Sequence, residues 1–253
     1  MLVNTQTGQP IVFYSNFFEF GERLFFVGKG STYGLEPWVS DGTPEGTALF
    51  KDLAPGSASS TPQVFRAMGD NLYILDGYQV LWKSDGSSAG TIPVRKVPRS
   101  ADAGGSKEHG TLKEWFFFSV GSIDGGEVWR SDGTMHRTIQ LADIYPGRYS
   151  SAPREFTVMR DYLYFSADDG IGGRELWGGD GTPGGTVRVA DIREGKEGSD
   201  PQYLVVGDGL LFFTADDGVH GRELWAIPAA KAPTPVPEYT EKNLFLPLIR
   251  RVR

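Results

Sequence analysis

The chain has 253 residues, a formal net charge of −7, 13% aromatic residues, 34 glycines and 16 prolines, but no cysteine. Without cysteine, disulfides, zinc–thiolate sites and thiol nucleophiles are excluded. The acidic balance argues against nucleic acid as the main partner, and no apolar run approaches the roughly 20 residues of a membrane span.

The N-terminal segment "MLVNTQTGQP" has neither the basic start nor the apolar stretch of a signal peptide. The first predicted elements follow it. Aromatic-rich runs in residues 14–26 predict a hairpin, and "LEPW" predicts a third strand. The loop "DGTPEGT" comes next, with an Asp that can bond its own backbone and a Gly that can take positive φ. A fourth strand then leads to Asp52.

This unit recurs along the chain. The spacing of 44 to 48 residues is marked by five tryptophans: Trp38, Trp82, Trp129, Trp177 and Trp225. Three residues after each of the first four comes an aspartate that precedes Gly and then Thr or Ser: Asp41, Asp85, Asp132 and Asp180. Four short strands in about 45 residues are typical of one blade of a β-propeller.

The second repeat departs most from the others. Val80 stands where the other repeats have Glu, and the preceding hairpin is four residues shorter. At the start of the third repeat, Ser106 and His109 stand where Pro and Phe are expected. These departures predict less regular sheets in this part of the chain.

In the fourth repeat, "DYLYF" alternates Leu163 and Phe165 on one face with Tyr162 and Tyr164 on the other. In a strand with one face exposed to solvent, apolar residues would alternate with charged residues instead. The pattern predicts sheets that are covered on both faces, with each tryptophan in the gap between neighbouring blades.

The fifth repeat ends after its third strand, Glu223 to Trp225. The segment "MLVN" aligns with a fourth strand, since Asn4 takes the place of Asp52, Asp143 and Asp191. We therefore expect it to pair with the Trp225 strand and close the ring, which removes an exposed edge. The alternative is that the chain is part of a larger propeller array.

The phrases "LEPWVSDGTPEGT", "GEVWRSDGTMHRT" and "GRELWGGDGTPGGT" resemble the bacterial ELWxxDGT repeat family, and the resemblance extends from Met1 to about Ile227. It implies propeller-like repeats in exported or surface proteins, for which no shared activity is established. We predict an all-β fold with a five-bladed β-propeller of four-stranded blades over residues 1–227.

Residues 228–253 are predicted to form a Pro-rich linker and a short C-terminal tail. Because such a linker cannot join a ladder, the tail is expected to add little to folding. Its apolar patch, Leu244 to Ile249, and terminal arginines resemble tails of some exported bacterial proteins. The other interpretation is a frayed terminus.

Repeated acids precede the tryptophans, and they are Glu36, Glu127, Glu175 and Glu223. Paired catalytic carboxylates need unlike environments, whereas these occupy equivalent positions. A structural role is therefore predicted, with Arg174 and Arg222 or the backbone N–H groups of a neighbour as partners.

Two loops, "SADDGIGGRE" and "TADDGVHGRE", carry the candidate metal ligands Asp168, Asp169, Asp216 and Asp217. Two acids and nearby carbonyls could begin a calcium site. The interpretation that we favour is a loop closed by Asp. The three histidines are too scattered in sequence to predict a metal site.

The leading functional hypothesis is a non-catalytic binding or surface-interaction module. It would be a monomer, extracellular or at the cell surface, and its partner there would be a protein or polysaccharide. One alternative is a carbohydrate-binding lectin with pockets between blades. Another is a hydrolase with a site in the central channel, built from residues that break the repeat; no such cluster is evident in the sequence.

Overall fold

The computed structural model describes residues 3–4, 9–62, 64–97, 110–112, 114–120, 126–228 and 250–251. Strands dominate these residues, and every strand pair is antiparallel. The all-β prediction is confirmed. None of the helices in the described ranges has the length and apolar character needed to cross a membrane.

The chain divides into two compact units, and the first comprises Met1–Arg99 and Gly133–Met135. It holds a two-stranded sheet, β1 and β2, and two four-stranded sheets, β3-β4-β5-β6 and β7-β8-β9-β10. The strands are β1 Val3–Asn4, β2 Gln9–Pro10, β3 Val12–Phe20, β4 Arg23–Lys29, β5 Leu35–Ser40, β6 Ala48–Leu49, β7 Val64–Met68, β8 Asn71–Leu75, β9 Val80–Ser84 and β10 Ile92–Lys96.

The second unit comprises Ser100–Asp132 and His136–Arg253. It holds three four-stranded sheets, β11-β12-β13-β14, β15-β16-β17-β18 and β19-β20-β21-β22. The strands are β11 Gly110–Leu112, β12 Trp115–Val120, β13 Glu127–Ser131, β14 Ile139–Ala142, β15 Arg154–Met159, β16 Tyr162–Asp168, β17 Arg174–Gly179, β18 Val187–Ala190, β19 Gln202–Gly207, β20 Leu210–Asp216, β21 Arg222–Pro228 and β22 Arg250–Arg251. A 3₁₀ turn, Pro183–Gly185, precedes β18.

Strand β16 shows how consecutive sheets share a core. Leu163 and Phe165 pack in a cluster with Phe117 of the preceding sheet, whereas Tyr162 and Tyr164 pack in another with Phe213 of the following sheet. The predicted alternation is confirmed. Because both faces of the strand are buried, bulky side chains are stabilising at every position, at about 1.5–3 kcal/mol for each large apolar group.

The tryptophans of the repeat lie in or against these cores. Trp38 and Trp129 are buried. The other three are half-buried and pack against clusters that combine two consecutive sheets: Trp82, Trp177 and Trp225. The indole N–H of Trp38 donates to the carbonyl of Gly28, so burial of this ring leaves its polar atom satisfied.

The predicted partner of the N-terminal strand is wrong. Val3–Asn4 pairs with Gln9–Pro10 instead of joining the strand of Trp225. That hairpin closes over a few residues, so its loop-closure entropy is small. Ring closure through this strand therefore lacks the pairing on which it depends.

The fourth strand of the last sheet comes from the C-terminal tail. Trp225 pairs with Arg251, and Ala226 pairs with Arg250. The expectation that the tail forms no strand pairing is therefore wrong. Proline cannot donate a ladder hydrogen bond, but the two residues that pair lie beyond the prolines of the tail. Three features of the sequence lie outside the described residues: Ser106, His109 and the Leu244 to Ile249 patch.

Candidate functional site

The repeated glutamates are bound by the chain that follows them. The Glu175 carboxylate accepts hydrogen bonds from the amides of Ile192 (3.0 Å), Arg193 (3.2 Å) and Ser199 (2.8 Å). It also accepts one from the Ser199 hydroxyl at 2.6 Å. Ser199 stands just before the first strand of the next sheet, so this carboxylate joins one repeat to the start of the next.

The same arrangement occurs in two other repeats at the same sequence offsets. Glu127 accepts from the amides of Ile144 and Tyr145 and from both the amide and the hydroxyl of Ser151. Glu36 accepts from the Leu53 amide and from the amide and hydroxyl of Ser60. We call each such set a glutamate clasp: a Glu before the repeat Trp, the amides 17 or 18 residues later, and the Ser 24 residues later.

The structural role predicted for the repeated acids is confirmed for Glu36, Glu127 and Glu175, with backbone N–H groups and a serine hydroxyl as partners. Burial raises the pKa of Glu36, Glu127 and Glu175, and the hydrogen bonds offset part of that rise. Glu223 holds the equivalent register position, since it lies opposite Ala215 as Glu175 lies opposite Ala167.

The second repeat, which lacks the glutamate, uses a different acid. Asp76 is buried and accepts from the amides of Tyr78 (2.9 Å) and Val80 (2.8 Å) and from the Trp82 indole (2.8 Å). Burial raises the pKa of Asp76. All three donors lie within six residues of Asp76, so this carboxylate stabilises its own turn.

The aspartates after the tryptophans close turns. Asp41 accepts from the amide and hydroxyl of Thr43, Asp85 from those of Ser87, and Asp180 from those of Thr182. These hydrogen bonds lower the pKa of Asp41 and Asp85, and the bond from the side-chain hydroxyl contributes most to that shift.

The remaining repeated aspartate, Asp132, pairs with the cationic side chain of an arginine. Asp132 forms an ion pair with Arg137 at 3.0 Å. The turn interpretation is thus confirmed for Asp41, Asp85 and Asp180, and Asp132 is engaged by a neighbouring arginine.

The four candidate calcium ligands lie in two separate loops. Asp168 and Asp169 accept from amides of their own loop, at Gly170 and at Ile171 and Gly172. The carboxylate of Asp169 also lies 3.6 Å from Arg188. These bonds fit the predicted Asp-closed loop, and calcium binding there stays a prediction.

The second loop adds His220, one of the three histidines that are scattered in sequence, as a partner of its aspartates. Asp216 and Asp217 accept from amides at Gly218 and at Val219 and His220. The His220 Nδ1 lies 2.7 Å from Asp217, and this contact is the main cause of a strongly lowered Asp217 pKa. His220 follows Asp217 by three residues, a local spacing that could have indicated the contact.

Asp217, His220 and Glu223 each place one potential ligand atom within 4.8 Å of the others. It is the one group of three or more such side chains found in the described part of the chain. Three protein ligands match a zinc-type site that keeps an open position better than calcium, which takes six to eight oxygens.

A second polar cluster forms around Asp200, and we call it the arginine cluster: Arg154, Arg174, Arg222 and Asp200. The Asp200 carboxylate lies 2.7 Å from Arg154, 3.9 Å from Arg174 and 2.9 Å from Arg222. Arg174 and Arg222, which the sequence offers as partners of the glutamates, thus contact this aspartate.

Neighbouring first strands bring the arginine cluster together. Arg154 begins β15, and Asp200 stands two residues before β19. The Leu204 amide donates to Glu155 and the Thr157 hydroxyl donates to the Leu204 carbonyl, which holds these two strands side by side without a shared ladder.

No protein-family model matches the chain, and no curated protein matches it in sequence. Solved structures do resemble it. The extracellular domain of a one component system from B. thetaiotaomicron gives a TM-score of 0.52 at 9% identity, over 94% of this chain and 29% of that one. Prolyl oligopeptidase B from Galerina marginata gives 0.51 at 13%, over 91% and 35%.

The computationally designed Ika8 protein gives a TM-score of 0.50 at 13% identity, over 83% of this chain and 57% of that one. The present chain therefore spans about a third to a little over half of these structures. The likeness concerns the fold alone, and it supports a β-propeller type of architecture.

Proposed function

We propose that this chain is a non-catalytic binding module, and that its five four-stranded sheets are the blades of a β-propeller. The packing within each unit supports the blades: consecutive sheets share apolar clusters, and the β15–β18 sheet shares one on each face. The solved structures that it resembles support the same architecture.

The observation that carries the functional proposal is the use of the repeated carboxylates. In three repeats the glutamate is a buried acceptor of three or four hydrogen bonds that hold the next repeat. A general acid or base must reach a substrate proton. Buried carboxylates whose oxygens are already bonded to the fold are suited to stability instead.

Binding then depends on exposed residues that differ between repeats. Such surfaces include the arginine cluster and the loop of Asp217 and His220. By the resemblance of its repeat motifs, the module would act outside the cell or at its surface, as a monomer on a protein or polysaccharide. Calcium would be a structural addition at the Asp loops.

The test combines binding with product analysis. The purified chain is screened on a glycan array and against surface polysaccharides, and each hit is confirmed by a rise in melting temperature. Mass spectrometry then follows the bound ligand over a day. The proposal expects a hit that remains intact, and cleavage of a bound ligand would contradict it.

A further inference from the structure

We propose that the arginine cluster binds the carboxylate of a uronic acid residue in an acidic polysaccharide. This inference rests on the proposed binding function and names its ligand class. Arginine is suited to the task, because its planar guanidinium donates two parallel N–H groups to a carboxylate.

The charge of the cluster favours an anion. Arg154 and Arg222 both pair with the single Asp200 carboxylate, at 2.7 Å and 2.9 Å, so two cations share one anion. This local excess of positive charge stands out in a chain whose net charge is −7. A second carboxylate would be attracted to this place, and more strongly at low ionic strength.

Arg154 has hydrogen-bonding capacity to spare. Its Nη2 donates to Asp200, and 45% of its side chain is exposed. Among the described residues, none accepts from its Nε or Nη1. A ligand carboxylate can therefore reach this guanidinium without displacing a protein contact.

The other two arginines are held in place by the fold. Arg222 donates to the Asp200 and Thr214 carbonyls, and Arg174 donates to the Ser166 carbonyl. Because these bonds fix both guanidinium groups beside Asp200, little side-chain entropy remains to be lost when an anion binds.

The cluster departs from the repeat, as a binding site on a repetitive scaffold should. At the position of Arg174 and Arg222, the first three repeats have Leu35, Gln79 and Gly126. At the position of Asp200, two other repeats have Thr61 and Ala152. Thr61, Ala152 and Asp200 share a left-handed φ of 42° to 48°. The three repeats therefore have the same backbone conformation at this position, and only Asp200 carries a charge there.

An exposed aromatic residue next in sequence to the cluster favours a sugar acid over other anions. Tyr203 is 70% exposed and follows Gln202, whose amide nitrogen donates to Asp200. An exposed tyrosine ring offers an apolar face for a sugar ring and a hydroxyl for its polar edge. Guanidinium groups and a ring together match a uronic acid better than a phosphate or an acidic peptide.

The experiment measures binding of oligogalacturonate by isothermal titration calorimetry at low salt. The comparison ligands are a neutral oligosaccharide of the same length and poly-glutamate. The variants are Arg154→Gln and Tyr203→Ala, and the matched control is Arg137→Gln, whose arginine is 53% exposed and pairs with Glu114 and Asp132. Melting temperatures establish that each variant is folded.

Oligogalacturonate should bind the unchanged chain, more weakly as salt rises, while the neutral oligosaccharide should not bind. Arg154→Gln should weaken binding about tenfold, the scale of one charge-assisted hydrogen bond. Tyr203→Ala should also weaken it, and Arg137→Gln should leave it unchanged.

Three results would overturn the inference: no binding of oligogalacturonate, equal or tighter binding of poly-glutamate, or unchanged affinity in folded Arg154→Gln. None of these contradicts the proposed function, which fails only if a bound ligand is cleaved. Mass spectrometry of the calorimeter contents separates the two failures.

Discussion

The fourth and second repeats solve the same packing problem with different acids. In the fourth, Glu175 accepts from amides and a hydroxyl that lie 17 to 24 residues further along the chain. In the second, Val80 takes the glutamate's place, and Asp76 accepts from donors two to six residues away. One acid joins consecutive repeats, whereas the other stabilises a single turn.

The comparison shows what the repeated glutamate contributes. A buried carboxylate is costly unless it is fully hydrogen-bonded. The clasp satisfies that requirement with groups from the approach to the next sheet, so folding of one repeat depends on the next. The second repeat keeps a buried acid but gives up this connection, which four experiments can test.

The largest effect is expected from Glu175→Ala. It leaves the amides of Ile192, Arg193 and Ser199 without their acceptor, at about 3–5 kcal/mol in the free energy of unfolding. Urea denaturation followed by circular dichroism measures this. Val80→Ala in the second repeat is the matched change and should cost only about 1 kcal/mol. Equal costs would contradict the comparison.

Asp76→Asn should have an intermediate effect. It keeps one acceptor oxygen but turns an amide N–H₂ toward the indole N–H of Trp82, at about 1–3 kcal/mol. The same denaturation assay applies, with Asp70→Asn in an exposed turn as a control that should stay within about 0.5 kcal/mol. A cost for Asp76→Asn as small as the control's would mean that this buried acid does not stabilise the turn.

A smaller loss is expected for Ser199→Ala, which removes only the hydroxyl that donates to Glu175 at 2.6 Å. About 0.5–1.5 kcal/mol is typical of one such hydrogen bond. Ser88→Ala, at an exposed loop position, is the control in the denaturation assay. If both serines give the same value, the hydroxyl is not part of the clasp.

The smallest effect concerns pH. Burial raises the pKa of Glu175 above its ordinary value of 4.5, so the native state binds this proton more tightly than the unfolded state. The corresponding stability is fully present below pH 4.5 and is lost as pH rises through the raised pKa. The stability of the unchanged chain relative to Glu175→Gln should therefore increase as pH falls from 7 toward 5. A relative decrease over that range in urea denaturation would show a lowered pKa instead.

Much of the fold follows from the sequence because its signals are local. The turn residues predict the Asp-closed turns, and the apolar alternation of residues 162–165 predicts burial on both faces; the structure confirms both. The tryptophan spacing matches the recurrence of four-stranded sheets. The role of the glutamates followed from their equivalence between repeats. The serine partners Ser60, Ser151 and Ser199 were missed, although each stands two residues before a repeated proline.

Apart from the local pairing of Val3–Asn4 with Gln9–Pro10, the remaining errors concern residues that are distant in sequence. Pairing of Arg250–Arg251 with β21 joins segments on either side of a long Pro-rich stretch, and no periodic signal marks it. The arginine cluster draws on residues 154, 174, 200 and 222, which come together only when two first strands lie side by side. Residues that break the repeat were expected to mark a site, yet this cluster was not recognised in the sequence.

A double-mutant cycle between Glu175 and Ser199 tests the central claim that the repeated acid joins consecutive repeats. The free energies of unfolding of the unchanged chain, Glu175→Ala, Ser199→Ala and the double variant are measured by urea denaturation. The clasp predicts that the double variant loses less than the two single losses combined, with a coupling of about 0.5–3 kcal/mol. Additivity within about 0.5 kcal/mol would contradict it.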